Sequence, residues 1–254
     1  MPASPRGSGE RLLHMIQQIA SGPDAFTLGE LAERAELPLS SVHRLLKTLE
    51  RRGFVERGAG LSYRRGRELY RIASLIVSRF DIGHCARPLL EALVRDFHES
   101  AVLCVYSPPT HRGVIAEVVL TPHPLRFAIE KGVEISLPWG SLGHAILAHL
   151  PPAEIELILR AENSGPLTGR PRPTRQALEA EFTAIRENGY ALYCDEQFDL
   201  AGIAAPVFKG GEEVLGAIGM ILPSSRYSVH SQGNLALAVR DAAQELSRQA
   251  GLDT

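Results

Sequence analysis

Apolar positions recur at helical spacing through the first eighty residues, and continuous strand-like apolar runs take over after residue 100. Leu12, Leu13, Ile16 and Ile19 mark the inner side of a helix over Arg11–Ala20, ended by Ser21-Gly-Pro-Asp24. Thr27 with Glu30 three residues on has capping-box spacing, and Leu28, Leu31 and Ala32 follow at i, i+3, i+4. Leu37-Pro38 closes that second helix, because a residue before proline avoids the helical region. Ser40 or Ser41 starts a third, with Val42, Leu45, Leu46 and Leu49 buried, and Gly53 stops it. Ser41, His43, Arg44, Lys47 and Thr48 are left outside. Phe54–Arg57 and Leu61–Arg64, joined by Gly58-Ala-Gly60, read as a β-hairpin.

The pattern continues with a linker helix over Arg67–Phe80, in which Leu69, Ile72, Ala73, Leu75 and Ile76 repeat. Gly83 reads as a break, and Cys85–His98 as a further helix with Leu89, Leu90, Leu93 and Phe97 inward and Pro88 in its first turn. Ala101–Tyr106, Val114–Leu120, Arg126–Ile129, Tyr190–Tyr193, Gly202–Phe208 and Val214–Ile221 are strand-like. Helices are expected at Ser141–Leu150, Ala153–Arg160, Arg175–Asn188 (capped by Thr174 and ended by Gly189) and Ser228–Ala250. The order is not βαβ throughout, so the second part is α/β of the α+β kind with a largely antiparallel sheet, not a doubly wound nucleotide fold. The division predicted is 1–66, a helix-turn-helix with a hairpin wing; 67–82, the linker helix; and 83–254, the second domain.

Composition narrows the class. With 254 residues and 44% apolar content the chain can build two cores. No stretch reaches the length of a membrane span, and the first ten residues lack the apolar core of a signal peptide. Cys85, Cys104 and Cys194 show no pairing or metal spacing and are expected as free thiols in a reducing cytoplasm. From Pro38 to Arg71 there are nine Lys or Arg against three Glu, net +6, in a chain of net charge −2. A basic patch confined to one small module fits a nucleic-acid footprint. Two helices with a short turn, the second presenting Ser, His, Arg and Lys, suit insertion into a DNA major groove.

The second domain offers little catalytic chemistry. Ser141 in Gly140-Ser-Leu-Gly143 is not a nucleophile elbow, and His144 beside it reads as part of a helix start. His111, His123 and His149 lack ligand spacing, and the glycines form no phosphate loop, so no metal or cofactor is expected. A small-molecule pocket is the better expectation. Trp139, Gly140 and Ser141 open a helix whose free amides can meet an anion. Cys194 and Asp195 follow a strand, and the glycine-bearing run around Gly216 and Ala217 permits close backbone approach. Two alternatives remain: an enzyme with a winged-helix dimerisation module, and a DNA-binding protein with an inert dimerisation domain.

The chain resembles the IclR family of transcriptional regulators. The resemblance rests on Leu37-Pro-Leu-Ser-Ser-Val-His-Arg-Leu-Leu-Lys-Thr-Leu-Glu-Arg-Arg-Gly-Phe-Val55 with Tyr63-Arg-Arg-Gly66, on Leu137-Pro-Trp-Gly-Ser-Leu-Gly-His-Ala-Ile-Leu-Ala148, on Gly189-Tyr-Ala191 with Asp195-Glu196, and on Ile203-Ala-Ala-Pro-Val-Phe208. It spans roughly Arg11 to Leu246. It implies a winged helix-turn-helix, a linker helix and a GAF-like effector-binding domain. It also implies homodimers or homotetramers on double-stranded operator DNA, and an organic or aromatic acid as effector. The implied DNA-contacting set, with the basic and capping residues around it, is Thr27, Ser40, Ser41, His43, Arg44, Lys47, Arg57, Arg64 and Arg65. The implied effector set is Trp139, Gly140, Ser141, Cys194, Asp195, Gly216 and Ala217. Three positions depart from the family pattern. Leu39 stands where Lys or Arg is frequent, the chain is one residue shorter between Glu196 and Ile203, and Gly202 replaces a frequent cysteine. Trp139, where a small polar residue or His is common, suggests an aromatic wall suited to an aromatic ligand.

Overall fold

The computed structural model describes residues 7–79, 82–127, 129–161, 164–166, 169, 171–227 and 232–252. The chain divides into two units, residues 1–81 and 82–254.

The first unit holds α1 (Ser8–Ser21), β1 (Ala25–Thr27), α2 (Leu28–Arg34), α3 (Leu39–Arg51), β2 (Val55–Arg57), β3 (Ser62–Arg65) and α4 (Arg67–Arg79). The capping box at α2 forms as its spacing predicts: Glu30 N donates to Thr27 Oγ1 at 3.3 Å and Thr27 N to Glu30 Oε2 at 2.7 Å. The Thr27 backbone N–H and hydroxyl both donate to Glu30 Oε2 and hold its carboxyl below the usual range. Helix α3 starts at Leu39, earlier than a serine cap would place it. Ser41 N and Val42 N both donate to the Pro38 carbonyl, so no hydroxyl cap is needed. The strand β1 went unpredicted, because three residues are too short to show alternation. It pairs with β3 and turns the expected hairpin into a three-stranded sheet of order β1-β3-β2. Met15, Ile19, Phe26, Leu31, Leu46 and Val55 are at most 1% exposed and form this unit's core. Leu13, expected inward, is 64% exposed, and Met15 takes the buried position on that helix.

The second unit begins with α5 (Ile82–Phe97). Gly83 lies buried inside this helix rather than breaking it, and the earlier start leaves Pro88 in the interior, not the first turn. There follow β4 (Ser100–Ser107), β5 (Arg112–Val119), β6 (Glu134–Ile135), α6 (Gly140–Leu147), α7 (Pro152–Ala161), α8 (Arg175–Asn188), β7 (Ala191–Asp195), a 3-10 turn (Glu196–Phe198), β8 (Leu200–Lys209), β9 (Glu213–Leu222), α9 (Ser224–Tyr227) and α10 (Gln232–Leu252). The expected start of the last helix, Ser228, lies outside the described residues, as does Phe80 at the end of the linker helix. Arg126, Phe127 and Ile129 form no strand. The free edge of β5 is taken instead at Gly113 and Val114 by the two residues of β6. All pairings in the six-stranded sheet β6-β5-β4-β9-β8-β7 are antiparallel.

Alternate residues of the sheet feed two cores. Ala101, Leu103, Ile203, Ala205, Ile218 and Met220 pack with α5 and α10. Val102, Cys104, Ile115, Ala204 and Ala217 pack with α6, α7 and α8. Period-two alternation along each strand is what lets one sheet carry helices on both faces.

Helix α6 lies close enough to the preceding segment that only a glycine fits. A Cβ on Gly143 would stand 2.2 Å from the Leu137 carbonyl oxygen, a backbone atom that cannot swing away. Gly143→Ala is therefore expected to lower stability by about 1–3 kcal/mol, measured by denaturant unfolding followed at the single tryptophan.

Candidate functional site: a basic helix surface and an apolar cavity

The outward face of α3 has Ser40, His43, Arg44 and Lys47 exposed and Ser41 half-buried. Its inner face carries Val42, Leu45, Leu46 and Leu49, so the same 3.6-residue repeat that builds the core presents the polar set to solvent. Among the described residues the side chains of Arg44 and Lys47 have no ion-pair partner. Arg51 and Arg52 on the next turn are exposed as well. Leu39, at the helix start, is 57% exposed.

The other basic residues of this unit are already engaged. Arg57 Nε donates to Glu50 Oε1 at 3.0 Å, and its guanidinium lies 4.7 Å over the Tyr63 ring. Arg64 Nη2 donates to Glu56 Oε2 at 3.1 Å. The Arg67 N–H donates to the same carboxylate, which with Arg64 holds the Glu56 carboxyl below its usual range. Arg65 is turned inward. It donates to the carbonyls of Ile19 (3.2 Å), Ala20 (3.1 Å) and Gly22 and pairs with Asp24 at 2.5 Å. These are the orphan carbonyls at the end of α1, so Arg65 serves as a helix C-cap delivered from β3. Thr27 is occupied in the same sense, its hydroxyl being shared with Glu30. The structure thus separates the predicted set into free side chains on α3 and committed ones elsewhere.

In the second unit a cavity of about 520 Å³ opens beside the start of α6. Trp139, Gly140 and Ser141 are among the residues that line it. Trp139 is the N-cap in extended conformation with no side-chain cap bond, and Gly140 has φ 78°, which a side chain would strain. The first amides of the helix therefore have no capping side chain. Ile115, Ile129, Ile135, Leu142 and Ile221 supply apolar wall; Ser136, Ser141 and Tyr193 supply hydroxyls; Arg112, Glu130 and Glu134 supply charge. Gly202 also lines the cavity. A Cβ there would meet Ser141 Oγ at 2.6 Å, so the glycine keeps open the space between β8 and α6.

Four predicted residues stand outside the lining. Cys194 is exposed on β7, and its neighbour Tyr193 faces the cavity, because adjacent strand residues point to opposite sides. Asp195 is 4% exposed and spends its carboxylate on Gln197 N (3.1 Å) and Phe198 N (3.4 Å), while the Tyr193 hydroxyl donates to it at 3.5 Å. It supports the wall from behind. Gly216 is needed for strand pairing, since a Cβ would fall 2.1 Å from Cys104 O, and Ala217 is fully buried in the core. Tyr193, Ile115 and Gly202 were missed as lining residues. Alternation through Tyr193 and Cys194 held the signal for the first, and the cysteine-to-glycine departure for the last.

His144 is buried between two acceptors, Pro138 O at 2.8 Å from Nε2 and Glu181 Oε1 at 2.6 Å from Nδ1. A carbonyl can only accept, so Nε2 donates to Pro138, while Nδ1 faces the Glu181 carboxylate. The ring ties the segment before α6 to α8, a structural use. Cys104 is a buried thiol pushed up to about 12 by desolvation. Among the described residues no cluster of metal-ligating side chains occurs, and no helix is long and apolar enough to cross a membrane.

A basic helix-turn-helix unit joined to a cavity-bearing α/β unit defines a ligand-responsive DNA-binding regulator. The chain belongs to the IclR family: residues 8–59 match the IclR helix-turn-helix domain and residues 74–248 the bacterial transcriptional regulator IclR C-terminal domain. The family consists of transcription regulators and not enzymes. The regulator BhcR of Paracoccus denitrificans (strain Pd 1222) is 30% identical over 240 residues, covering 94% of this chain and 85% of its own. KipR of Bacillus subtilis (strain 168) is 28% identical over 228 residues, covering 89% and 90%. Two solved structures share the fold. An IclR regulator from Silicibacter sp. TM1040 superposes with TM-score 0.82 at 24% identity over 96% of this chain and 97% of its own. An IclR homologue from Microbacterium hydrocarbonoxydans, complexed with 4-hydroxybenzoate, does so with TM-score 0.77 at 21% identity over 96% and 99%.

The two kinds of arginine should separate by measurement. Arg65→Met is expected to destabilise the first unit by roughly 2 kcal/mol, read as faster amide exchange across residues 8–21. Arg44→Met should change that exchange by less than about 0.5 kcal/mol.

Proposed function

We propose that this protein binds operator DNA as a dimer or tetramer through the exposed face of α3 and releases or re-engages it when a small organic or aromatic acid occupies the cavity. The observation that carries the reading is the cavity itself, with an apolar wall, a tryptophan, and at one end the uncapped amides of α6. Free amides at a helix start and a nearby hydroxyl, Ser141, suit a carboxylate. Trp139 and the isoleucines suit a ring or short carbon chain. The complex of the Microbacterium hydrocarbonoxydans relative with 4-hydroxybenzoate supports the same class of ligand.

In this reading residues 1–66 form the DNA-binding head, 67–82 the linker helix, and 83–254 a GAF-like effector and oligomerisation domain acting in the cytoplasm. Ser40, Ser41, His43, Arg44 and Lys47 approach base edges and phosphates, with Arg57 and Arg64 at the wing. Two heads match two half-sites only at certain separations. An effector that prefers one arrangement of the second domain shifts the population toward or away from the competent separation.

Arg44→Ala and Lys47→Ala are each expected to weaken binding to DNA from upstream of the protein's own gene by about tenfold, and to reduce the log–log salt slope by about one. Fluorescence anisotropy across a salt series reads both quantities; wild-type affinity and slope in both variants would remove α3 from the interface. For the cavity, Trp139 is the only tryptophan. Titrating benzoate and 4-hydroxybenzoate should change its emission, and Gly202→Val should weaken the response by roughly tenfold by filling the space beside Ser141. Emission indifferent to every acid tried would count against an acidic effector.

A further inference from the structure

The wall of the cavity and helix α5 meet at one buried carboxylate. Glu117 lies on β5 with its side chain only 6% exposed. Its Oε1 accepts from Arg87 Nη2 of α5 at 3.0 Å and from Val118 N at 3.2 Å, and its Oε2 accepts from Lys131 Nζ at 2.7 Å. Lys131 sits on the irregular segment between β5 and β6, whose neighbours Glu130 and Val133 both line the cavity. A bulge puts the carboxylate there. Leu103 pairs with Glu117 and Cys104 with Ile115, so Ala116 is an extra residue in β5. With it, Ala116 packs toward α5 and Ile115 toward the cavity, while Glu117 reaches Arg87 instead of alternating back.

A carboxylate removed from water must keep its partners. Glu117 has one cation from each side, and both are largely solvent-exposed, at 50% for Arg87 and 57% for Lys131. Arg87 also reaches Glu91 on its own helix at 3.4 Å, the longer of its two ion pairs, so Glu117 is the shorter partner of Arg87 and the carboxylate that holds Lys131. The wall is anchored to β5 close by, through Gly132 N to Ile115 O (2.8 Å) and Ile115 N to Val133 O (2.9 Å). Its far shoulder is held separately: Arg226 pairs with buried Glu99 at 2.5 and 2.8 Å and donates to Leu125 O at 3.2 Å. Lys131 thus lies between the stretch anchored to β5 and the cavity-lining residues Ile129 and Glu130. Helix α5 in turn follows α4 in the chain after only two residues.

We propose that Glu117 is a positioning residue that couples occupancy of the cavity to helix α5, through Lys131 on the wall side and Arg87 on the helix side. This rests on the cavity being the effector site. When a ligand presses the wall outward, Lys131 leaves the carboxylate. Glu117 then keeps Arg87 as its one cation, and the seat of α5 changes.

The test uses the full chain with Glu117→Gln, Arg87→Met and Lys131→Met. Amide exchange is followed by mass spectrometry without ligand. Arg87→Met, which touches no cavity residue, should speed exchange over residues 129–136 by about fivefold, and Lys131→Met should do the same over 82–90. The double variant should exceed the larger single effect by less than about twofold, because both act through one group. Effects confined to the mutated side, and additive in the double variant, overturn the proposal. A second arm uses 4-hydroxybenzoate and benzoate. In Glu117→Gln the acid that alters Trp139 emission should bind within about threefold of wild type yet lose its effect on operator affinity by about tenfold or more. A preserved effect on DNA also overturns the coupling. Should neither acid bind the wild type, the effector class is wrong, and the exchange arm still decides the coupling. Should Glu117→Gln fail to fold, the Arg87 and Lys131 variants decide it.

Discussion

Everything in the second unit depends on how closely the start of α6 can lie on its surroundings. Gly143 sits against the Leu137 carbonyl, and His144 bridges Pro138 to Glu181 on α8. Gly202 on β8 leaves room for Ser141. These three contacts pin the first turn of an eight-residue helix against a sheet and against the segment that precedes it. They also leave the first residues of that helix, Gly140, Ser141 and Leu142, along a space with a largely apolar wall. The cavity is thus the residue of tight backbone packing around it rather than a gap in loose packing. A helix this short has little stability of its own in water, so its orientation is set almost wholly by those tertiary contacts.

The first unit solves a different problem with the same economy of groups. Its basic residues outnumber its acidic ones, and several of its arginines are paired. Glu50, Glu56, Glu68 and Asp24 each hold an arginine, and Arg65 closes the end of α1. What is left uncompensated is concentrated on the outer side of α3. The field that DNA would meet is therefore sharper than the count of charges suggests, because neutralised arginines contribute little beyond about one Debye length.

Much of this architecture was legible in the sequence, and what was not has physical causes. The capping box at Thr27, the buried stripe of α3 and the left-handed Gly189 after α8 are local signals, and each is present. The short strands β1 and β6 carry no local signal, since two or three residues owe their conformation to a partner far along the chain. Gly83 and Pro88 misled for the complementary reason: their helix-breaking tendencies were outweighed by burial of Ala86, Leu90 and Leu93 along α5. At the cavity, the residues of the α6 start were readable because they announce a helix N-terminus. Tyr193, Ile115 and Gly202 join them only through strand register, which no single stretch of sequence encodes. Cys194, Asp195, Gly216 and Ala217 lay on the right strands and faced, supported or filled something else.

Cationic contacts to DNA draw on the release of condensed ions and fade as ionic strength climbs. Leu39 at the head of α3 is exposed but uncharged, so it adds nothing to that salt-sensitive attraction, which is left to Arg44 and Lys47 further along the same face.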